Sequence, residues 1–359
     1  MTTPPVHLFE PVRLGALALR NRVVMAPMTR NRADPDGTSN ALMVEYYAQR
    51  AGAGLIVAEG TWPSVTGQAY CRQPGIETAA HIAGWKRVTD AVHARGGLIV
   101  LQIMHGGRIG SRAIKPAGVE TVGPSAIQAA GEVYTDAAGM QPFDPPRALS
   151  TIEVRDVVRE HAQAARNARE AGFDGVELHG TSGYLSIQFL STGSNRREDE
   201  YGGSAANRAR FAYECLAAMA EAIGADRVGL RLCPGNSFND IHDEDSAASH
   251  AELMRQAATL GLAYLHVMRS PGAAVGIDAF ALAQREYRGN LILNDGFDGA
   301  EADAAMAAGT GAAVSFARHF VANPDLVQRL GEGQPLAKFD RRTLYTPGAA
   351  GYTDYPVVG

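Results

Sequence analysis

Short apolar runs recur along the chain. Each is followed by a polar loop and then by a segment with apolar residues three and four apart. The runs cover residues 22–26, 55–58, 98–104, 175–178, 228–232, 263–267, 291–293 and 313–316. Strands that are apolar throughout, rather than alternating, suit a sheet covered on both faces. Among the intervening segments, 152–171, 206–223 and 248–260 show helical spacing, with Ser150 and Thr151 placed as caps ahead of the first. Eight strands alternating with helices predict an α/β protein built as a parallel (β/α)8 barrel. An open doubly wound sheet would carry a GxGxxG turn after a strand, and no such turn occurs.

Three segments stand outside this repeat. Residues 8–12 and 17–19 predict a small hairpin or plug before the first barrel strand. Residues 106–150, rich in Gly, Pro and Ala, form a long connection after strand three. A loop of that length in a compact domain is usually a lid or subdomain. It also leaves the barrel at the strand's C-terminal end, where barrels carry their active sites. The tail, 335–359, holds Phe339, Tyr345, Tyr352 and Tyr355 and is a second candidate cover. The whole chain, 1–359, reads as one domain.

Composition narrows the function classes. Apolar residues make up 46% of the chain and charged ones 20%, as in ordinary globular proteins. A net charge of -5 supplies no basic footprint for nucleic acid or anionic lipid. No apolar run is long enough to span a membrane, and residues 1–7 lack the pattern of a signal peptide. Cys71, Cys215 and Cys233 are far apart, with no CxxC, which fits reduced thiols in a cytoplasmic protein. The only lysines are Lys86, Lys115 and Lys338, and none lies at a strand end, which argues against Schiff-base chemistry.

The strand ends are where chemistry is expected. The fourth run continues as Glu177-Leu178-His179-Gly180-Thr181-Ser182-Gly183-Tyr184, which places two proton donors of different pKa where a strand opens into a loop. Other strand ends supply Pro27-Met28-Thr29, Glu59-Gly60, Gln102 with Met104, Arg231 with Asn236, Arg269, Asn294-Asp295-Gly296 and Ala317-Arg318. Neutral donors and arginines dominate, which suits an anionic, heteroatom-rich ligand. Loops after strands seven and eight often bind phosphate in barrels. Here Gly296 permits close backbone approach and Arg318 supplies a charged fork. Gln102 could serve a ring or be a satisfied core amide, and Arg231 could serve a ring or pair with a loop carboxylate. Glu177 and His179 share a strand face, and Glu59 and Asp295 lie near strand ends, so a metal site is conceivable. No HxH motif supports one, and His266, inside its strand, reads as a core or helix-facing residue. The preferred reading therefore has no metal.

Many ordered segments resemble the Old Yellow Enzyme family of FMN-dependent ene-reductases. They include Val24-Met25-Ala26-Pro27-Met28-Thr29-Arg30, Glu45-Tyr46-Tyr47-Ala48-Gln49-Arg50, Gly172-Phe173-Asp174-Gly175-Val176-Glu177-Leu178-His179, Asp199-Glu200-Tyr201-Gly202-Gly203, Ala322-Asn323-Pro324-Asp325 and Gly351-Tyr352-Thr353-Asp354-Tyr355. The resemblance covers essentially the whole chain. It implies FMN, with NADPH or NADH as reductant, and a small-molecule substrate on a monomer or homodimer. Pro27, Met28, Thr29 and Gly60 would border the flavin ring, and Gln102 and Arg231 would bond its pyrimidine edge. Asp295, Gly296, Ala317 and Arg318 would lie at the phosphate. Hydride would pass from FMN N5 to the β-carbon of an activated alkene. His179 would bind the activating group, Tyr184 would protonate the α-carbon, and Tyr70, Met104 and Tyr345 would line the pocket.

Three positions depart from the family pattern. Ser182 stands where the second donor is usually Asn or His, Met104 where Trp is usual, and Ser186-Ile187 where Ile-Asp is usual. A hydroxyl is shorter than an amide or imidazole, so activation of simple enones is expected to be weaker. Desaturation or double-bond migration on the same scaffold is the alternative reaction.

Overall fold

A computed structural model of the chain describes residues 5–271 and 276–358. The readings made on residues 1–4 and on the last residue of the tail lie outside them. A short 3-10 turn, His7–Phe9, precedes β1 (Val12–Leu14), which pairs antiparallel with β2 (Leu17–Leu19). The strand expected over 8–12 begins only at Val12. Pro11 has no N–H for a ladder, and it restricts the residue before it. Leu14, Leu17 and Leu19 pack against Leu55, Val57, Val100 and Ile292 at the N-terminal ends of the barrel strands, so the hairpin is a plug for the barrel floor.

The barrel strands are β3 (Val23–Met25), β4 (Leu55–Thr61) and β5 (Ile99–Ile103), then, beyond an insertion, β10 to β14. The insertion carries β6 (Val122–Gly123), β7 (Glu132–Thr135), β8 (Gly139–Pro142) and β9 (Arg147–Ala148). The remaining barrel strands are β10 (Gly175–Gly180), β11 (Val228–Leu232), β12 (Tyr264–Met268), β13 (Leu291–Asn294) and β14 (Ala313–Phe316). All eight run parallel and close in the order β10-β11-β12-β13-β14-β3-β4-β5. The expected (β/α)8 barrel is thus the fold, with every expected strand within a few residues of its place.

Outside lie α1 (Ala41–Gln49), α2 (Ala79–His93), α3 (Thr151–Glu170), α4 (Leu185–Leu190), α5 (Ala205–Ile223), α6 (Ser246–Ala258), α7 (Ala279–Glu286), α8 (Gly299–Ala307), α9 (Arg318–Ala322) and α10 (Leu326–Glu332). Ser150 caps α3 in a reciprocal capping box with Glu153, and Thr151 is the first helical residue rather than a cap. Near-complete burial of the strands between these helices and the interior explains why their sequences do not alternate.

Two segments fold back over the C-terminal mouth. In the insertion, β7 and β8 form a hairpin while β6 pairs with β9. Val133 and Phe143 pack with Met104 and Tyr184, and Asp136 takes both oxygens to Arg72. The tail is held by arginines of the loop after β3. Arg30 donates to Leu344 O and Gly351 O, and Arg32 donates to Thr343 O, Leu344 O and Gly348 O. Tyr352 stacks on Tyr46 at 4.0 Å between ring centroids.

One buried group gives the fold a pH dependence. His161 on α3 bonds Val157 O at 2.8 Å, and burial lowers its pKa to about 4. It is neutral in the folded chain, whereas an unfolded histidine takes a proton near pH 6.5. The stability it contributes is therefore complete above about pH 6.5 and is lost as pH falls toward 4. Denaturation midpoints are expected to fall between pH 7 and 5, with a shallower fall in His161→Gln. Parallel curves for the two proteins would refute this assignment.

Candidate active site

The interior of the barrel is built around one carboxylate. Glu177 on β10 is fully buried. Its Oε1 accepts from Gln102 Nε2 at 2.8 Å, and its Oε2 faces His266 Nδ1 at 2.9 Å. His266 Nε2 meets Ser315 Oγ at 2.7 Å. His266 thus points into the barrel rather than toward a helix, because parallel register puts it level with Arg231 on the inward face. Burial drives the Glu177 pKa up, but His266, Arg231 and Gln102 outweigh it and hold the group below the usual carboxylate range. Burial also lowers His266. Both partners shift down, which fits an ionised Glu177 and a neutral His266, with Arg231 carrying the compensating charge. Nδ1–H then donates to Glu177, and Nε2 accepts from Ser315.

Arg231 lies two positions beyond Gly229, the β11 residue level with Glu177, and so nearer the mouth than the carboxylate. It donates to Asn294 Oδ1 at 2.9 Å and approaches Pro27 O at 3.5 Å. No ion pair of Arg231 with a loop carboxylate occurs among the described residues, and the strongest charge acting on it is that of the strand residue Glu177, ahead of Asp295. Its Nε is buried with no protein partner.

At the end of β10, Thr181 N–H approaches His179 Nδ1 at 3.4 Å. That makes Nδ1 the acceptor and leaves the proton on Nε2. Burial, with Arg231 and His266 nearby, holds the His179 pKa well below its ordinary value, so the ring is neutral. Tyr184 lies edge-on to it, 4.8 Å between centroids. Burial pushes the Tyr184 phenol well above its ordinary pKa. Its hydroxyl is 2.9 Å from that of Tyr70. The site therefore holds a neutral N–H donor and a protonated phenol side by side.

The remaining expected residues fall around this pair. Pro27, Met28 and Thr29 are half-buried on the loop after β3. A Cβ on Gly60 would stand 2.6 Å from Met104 Sδ, so these two residues are in contact across β4 and β5. Asp295 and Gly296 take φ of 79° and 78° beyond β13. With Ala317 and Arg318 they border a cleft of about 340 Å³. The Asp295 carboxylate faces Arg318 at 3.4 Å. Tyr345 is 60% exposed, at the rim rather than in the pocket wall. Ser182 adopts φ 59°, and its carbonyl, not its hydroxyl, is bonded within the protein. Arg108, in the connection after β5, is buried and bonded to Asp240 O.

Two residues escaped the sequence reading. Gln188 is fully buried and bridges Gly106 O, Gly183 O and Arg108 N, which ties the insertion to the His179–Tyr184 loop. Asn239, from the loop after β11, donates to Ser182 O at 2.9 Å. In that loop the sequence pointed to Asn236, which instead accepts from Phe238 N in a local turn. Neither residue belongs to the strand-end pattern, so periodicity gave no signal for it. Among the described residues no cluster of three or more His, Cys, Asp or Glu side chains could hold a metal ion.

Residues 7–337 match the family described as NADH:flavin oxidoreductase / NADH oxidase. The chain is 44% identical to a probable flavin mononucleotide-dependent alkene reductase of Leishmania infantum, over 97% of both chains. It is similar to the solved structure of morphinone reductase, with TM-score 0.93 and 42% identity over 99% of this chain and 97% of that one. It is also similar to the old yellow enzyme from Trypanosoma cruzi, with TM-score 0.94 and 36% identity over 98% and 99%.

Glu177→Gln would leave Arg231 buried without its counter-charge. Breaking a buried charge pair in this way costs on the order of 3 kcal/mol. Urea denaturation of the flavin-free variant should reveal that loss, and an unchanged midpoint would show that Glu177 is not the stabilising partner.

Proposed function

The chain belongs to the NADH:flavin oxidoreductase / NADH oxidase family, the Old Yellow Enzymes, and on that footing we propose that it is an FMN-dependent ene-reductase. With NAD(P)H it reduces the C=C bond of activated alkenes, α,β-unsaturated carbonyl or nitro compounds. The observation that carries this reading is the neutral His179 N–H beside the protonated Tyr184 phenol.

The residues fit the cofactor. Arg231 Nε, buried and without a protein partner, suits the pyrimidine edge of a flavin, where its charge would offset anionic character in the reduced ring. Gln102 has committed one N–H to Glu177 and would offer its carbonyl oxygen and its second N–H there. Gly296, Ala317 and Arg318 would hold the phosphate, with Asp295 contributing backbone because its carboxylate faces Arg318. Pro27, Met28, Thr29 and Gly60 would border the ring. When bound, FMN supplies the hydride that reaches the β-carbon.

The chain's own groups do the rest. Negative charge develops on the substrate oxygen as hydride adds. The His179 Nε2–H, already placed, would bind that oxygen, and a preorganised donor of this kind contributes roughly 3–4 kcal/mol. Tyr184 would give its proton to the α-carbon. Tyr70 and Met104 would border the substrate, with Tyr345 at the rim, while the insertion and the tail exclude water from above. Desaturation or double-bond migration would ask Tyr184 to act as a base. Burial keeps the phenol protonated, which favours reduction. Residence in the cytoplasm as a monomer or homodimer belongs to the same proposal. The cytoplasmic part is supported by three buried, free cysteines, which a reducing compartment keeps as thiols.

The direct test is the visible spectrum of the purified protein during titration with a para-substituted phenol. Flavin bands with a new long-wavelength charge-transfer band are expected. A colourless protein that cannot be reconstituted with FMN would defeat the proposal. Tyr184→Phe should lower turnover of a cyclic enone by at least tenfold, and unchanged turnover would remove Tyr184 as the proton donor. Asn tolerates the left-handed backbone at position 182, so Ser182→Asn should raise that turnover. Equal or lower turnover would show that the hydroxyl is not limiting.

A further inference from the structure

The loop after β11 is held in an uncommon shape for no reason that the barrel itself supplies. Asn239 and Asp240 are consecutive non-glycine residues with positive φ, 58° and 61°. Such strain persists only where surrounding contacts impose it. Here the contacts are many. Arg108 donates to Asp240 O, and Ala130 N and His242 bond the Asp240 carboxylate. On the other side the loop lies directly on Gly183, where an added Cβ would stand 2.4 Å from Asn239 Cβ and 2.7 Å from Phe238 O. The sequence between His179 and Tyr184 therefore makes room for this loop.

What the arrangement delivers is one amide. Asn239 Nδ2 donates to Ser182 O at 2.9 Å, halfway along the loop that carries both His179 and Tyr184. Further along the same loop stands the Tyr184 hydroxyl, 2.9 Å from that of Tyr70, and the nearby amide works against burial on both phenols. A primary amide has two N–H groups, so one can hold Ser182 O while the other reaches a phenol oxygen.

We propose that Asn239 is a positioning residue for proton delivery, fixing the loop through Ser182 O and stabilising the oxygen that Tyr184 is left with. The proposal rests on the ene-reductase reading. In the step concerned the Tyr184 O–H bond breaks, its proton forms the new C–H bond at the α-carbon, and the O–H electron pair stays on the phenolate. The proton is returned from solvent, by way of Tyr70, whose side chain is half-buried at the rim. A buried phenolate with no donors would make this step steeply uphill. Tyr70, 2.9 Å away, supplies one, and the second N–H of Asn239 would supply another. Position 182 is left with a short hydroxyl, and the amide enters the site from a neighbouring loop instead.

Asn239→Asp and Asn239→Gly separate this role from a purely structural one. Both residues tolerate positive φ, Asp keeps the shape without the donor, and Gly removes the side chain. The FMN-loaded enzyme, reduced anaerobically, would be reoxidised by 2-cyclohexenone, which needs a proton on carbon, or by ferricyanide, which takes electrons alone. We expect reoxidation by the enone to fall at least tenfold in both variants, with a larger solvent deuterium isotope effect, while ferricyanide stays within twofold of the parent. Enone rates within twofold of the parent would overturn the proposal. So would a parallel fall with ferricyanide, which assigns Asn239 to structure only. A parent enzyme that ferricyanide reoxidises but no enone does would instead defeat the ene-reductase reading, and this proposal with it.

Discussion

A charged carboxylate closed off from water in the middle of a barrel must be fully satisfied or it destabilises the fold. Glu177 meets that demand with Gln102 on β5, His266 on β12 and the charge of Arg231 on β11. These partners come from both sides of β10, so the carboxylate fixes how neighbouring strands present their inward residues. Arg231 in turn is aimed at Asn294 on β13, and His266 at Ser315 on β14. One network thus sets the floor of the mouth across six strands. Burial is the main reason that His179, two residues beyond Glu177 on the same face, is neutral, and the positive charge of Arg231 in this network adds to it.

Above that floor the loops are strained, and the strain is localised. Among the described residues, all six non-glycine residues with positive φ lie in loops that follow barrel strands. They are Asn31, Arg72, Ser182, Asn239, Asp240 and Asp295. Five of them, all but Asn31, are held by contacts from another part of the chain. Arg72 holds the hairpin of the insertion, and Asp240 is held by Arg108 and by Ala130 of the insertion. The long connection after β5 is therefore a brace for neighbouring loops as well as a cover. The tail has the same double character. Arg30 and Arg32 bond its carbonyls, and both guanidinium groups lie over the Tyr352 ring. Burial and the neighbouring Arg30 lower the pKa of Arg32 to about 10, so this clamp holds two like charges together through carbonyl acceptors and aromatic faces.

The barrel was legible in the sequence because its physical requirement is local. A strand buried on both sides must be apolar at every position, and that mark is visible in residues 228–232 or 313–316 without knowing what packs against them. The loop from His179 to Tyr184 was legible for a related reason, since polar donors at the end of an apolar strand conflict with burial unless they do something. The same logic failed where a residue's role depends on a partner distant in sequence. His266 read as core or helix-facing, yet only closure of the barrel brings it within 2.9 Å of Glu177, 89 positions away. Gln188 and Asn239 carried no mark at all, because an amide in a helix or a turn is ordinary until another loop is laid against it.

The sequence by itself determined the number and order of the barrel strands and the residue types offered at their ends, because hydrophobic period and strand-end polarity are properties of neighbouring positions. Tertiary structure alone decided which offered groups are free. It committed one Gln102 N–H and the Asn294 carbonyl to the interior, left Arg231 Nε without a protein partner, exposed Tyr345, and brought Asn239 onto Ser182 O in the loop that carries Tyr184. Hydrogen bonds join groups that are close in space. Which groups are close is settled only when the barrel closes and the loops settle on one another.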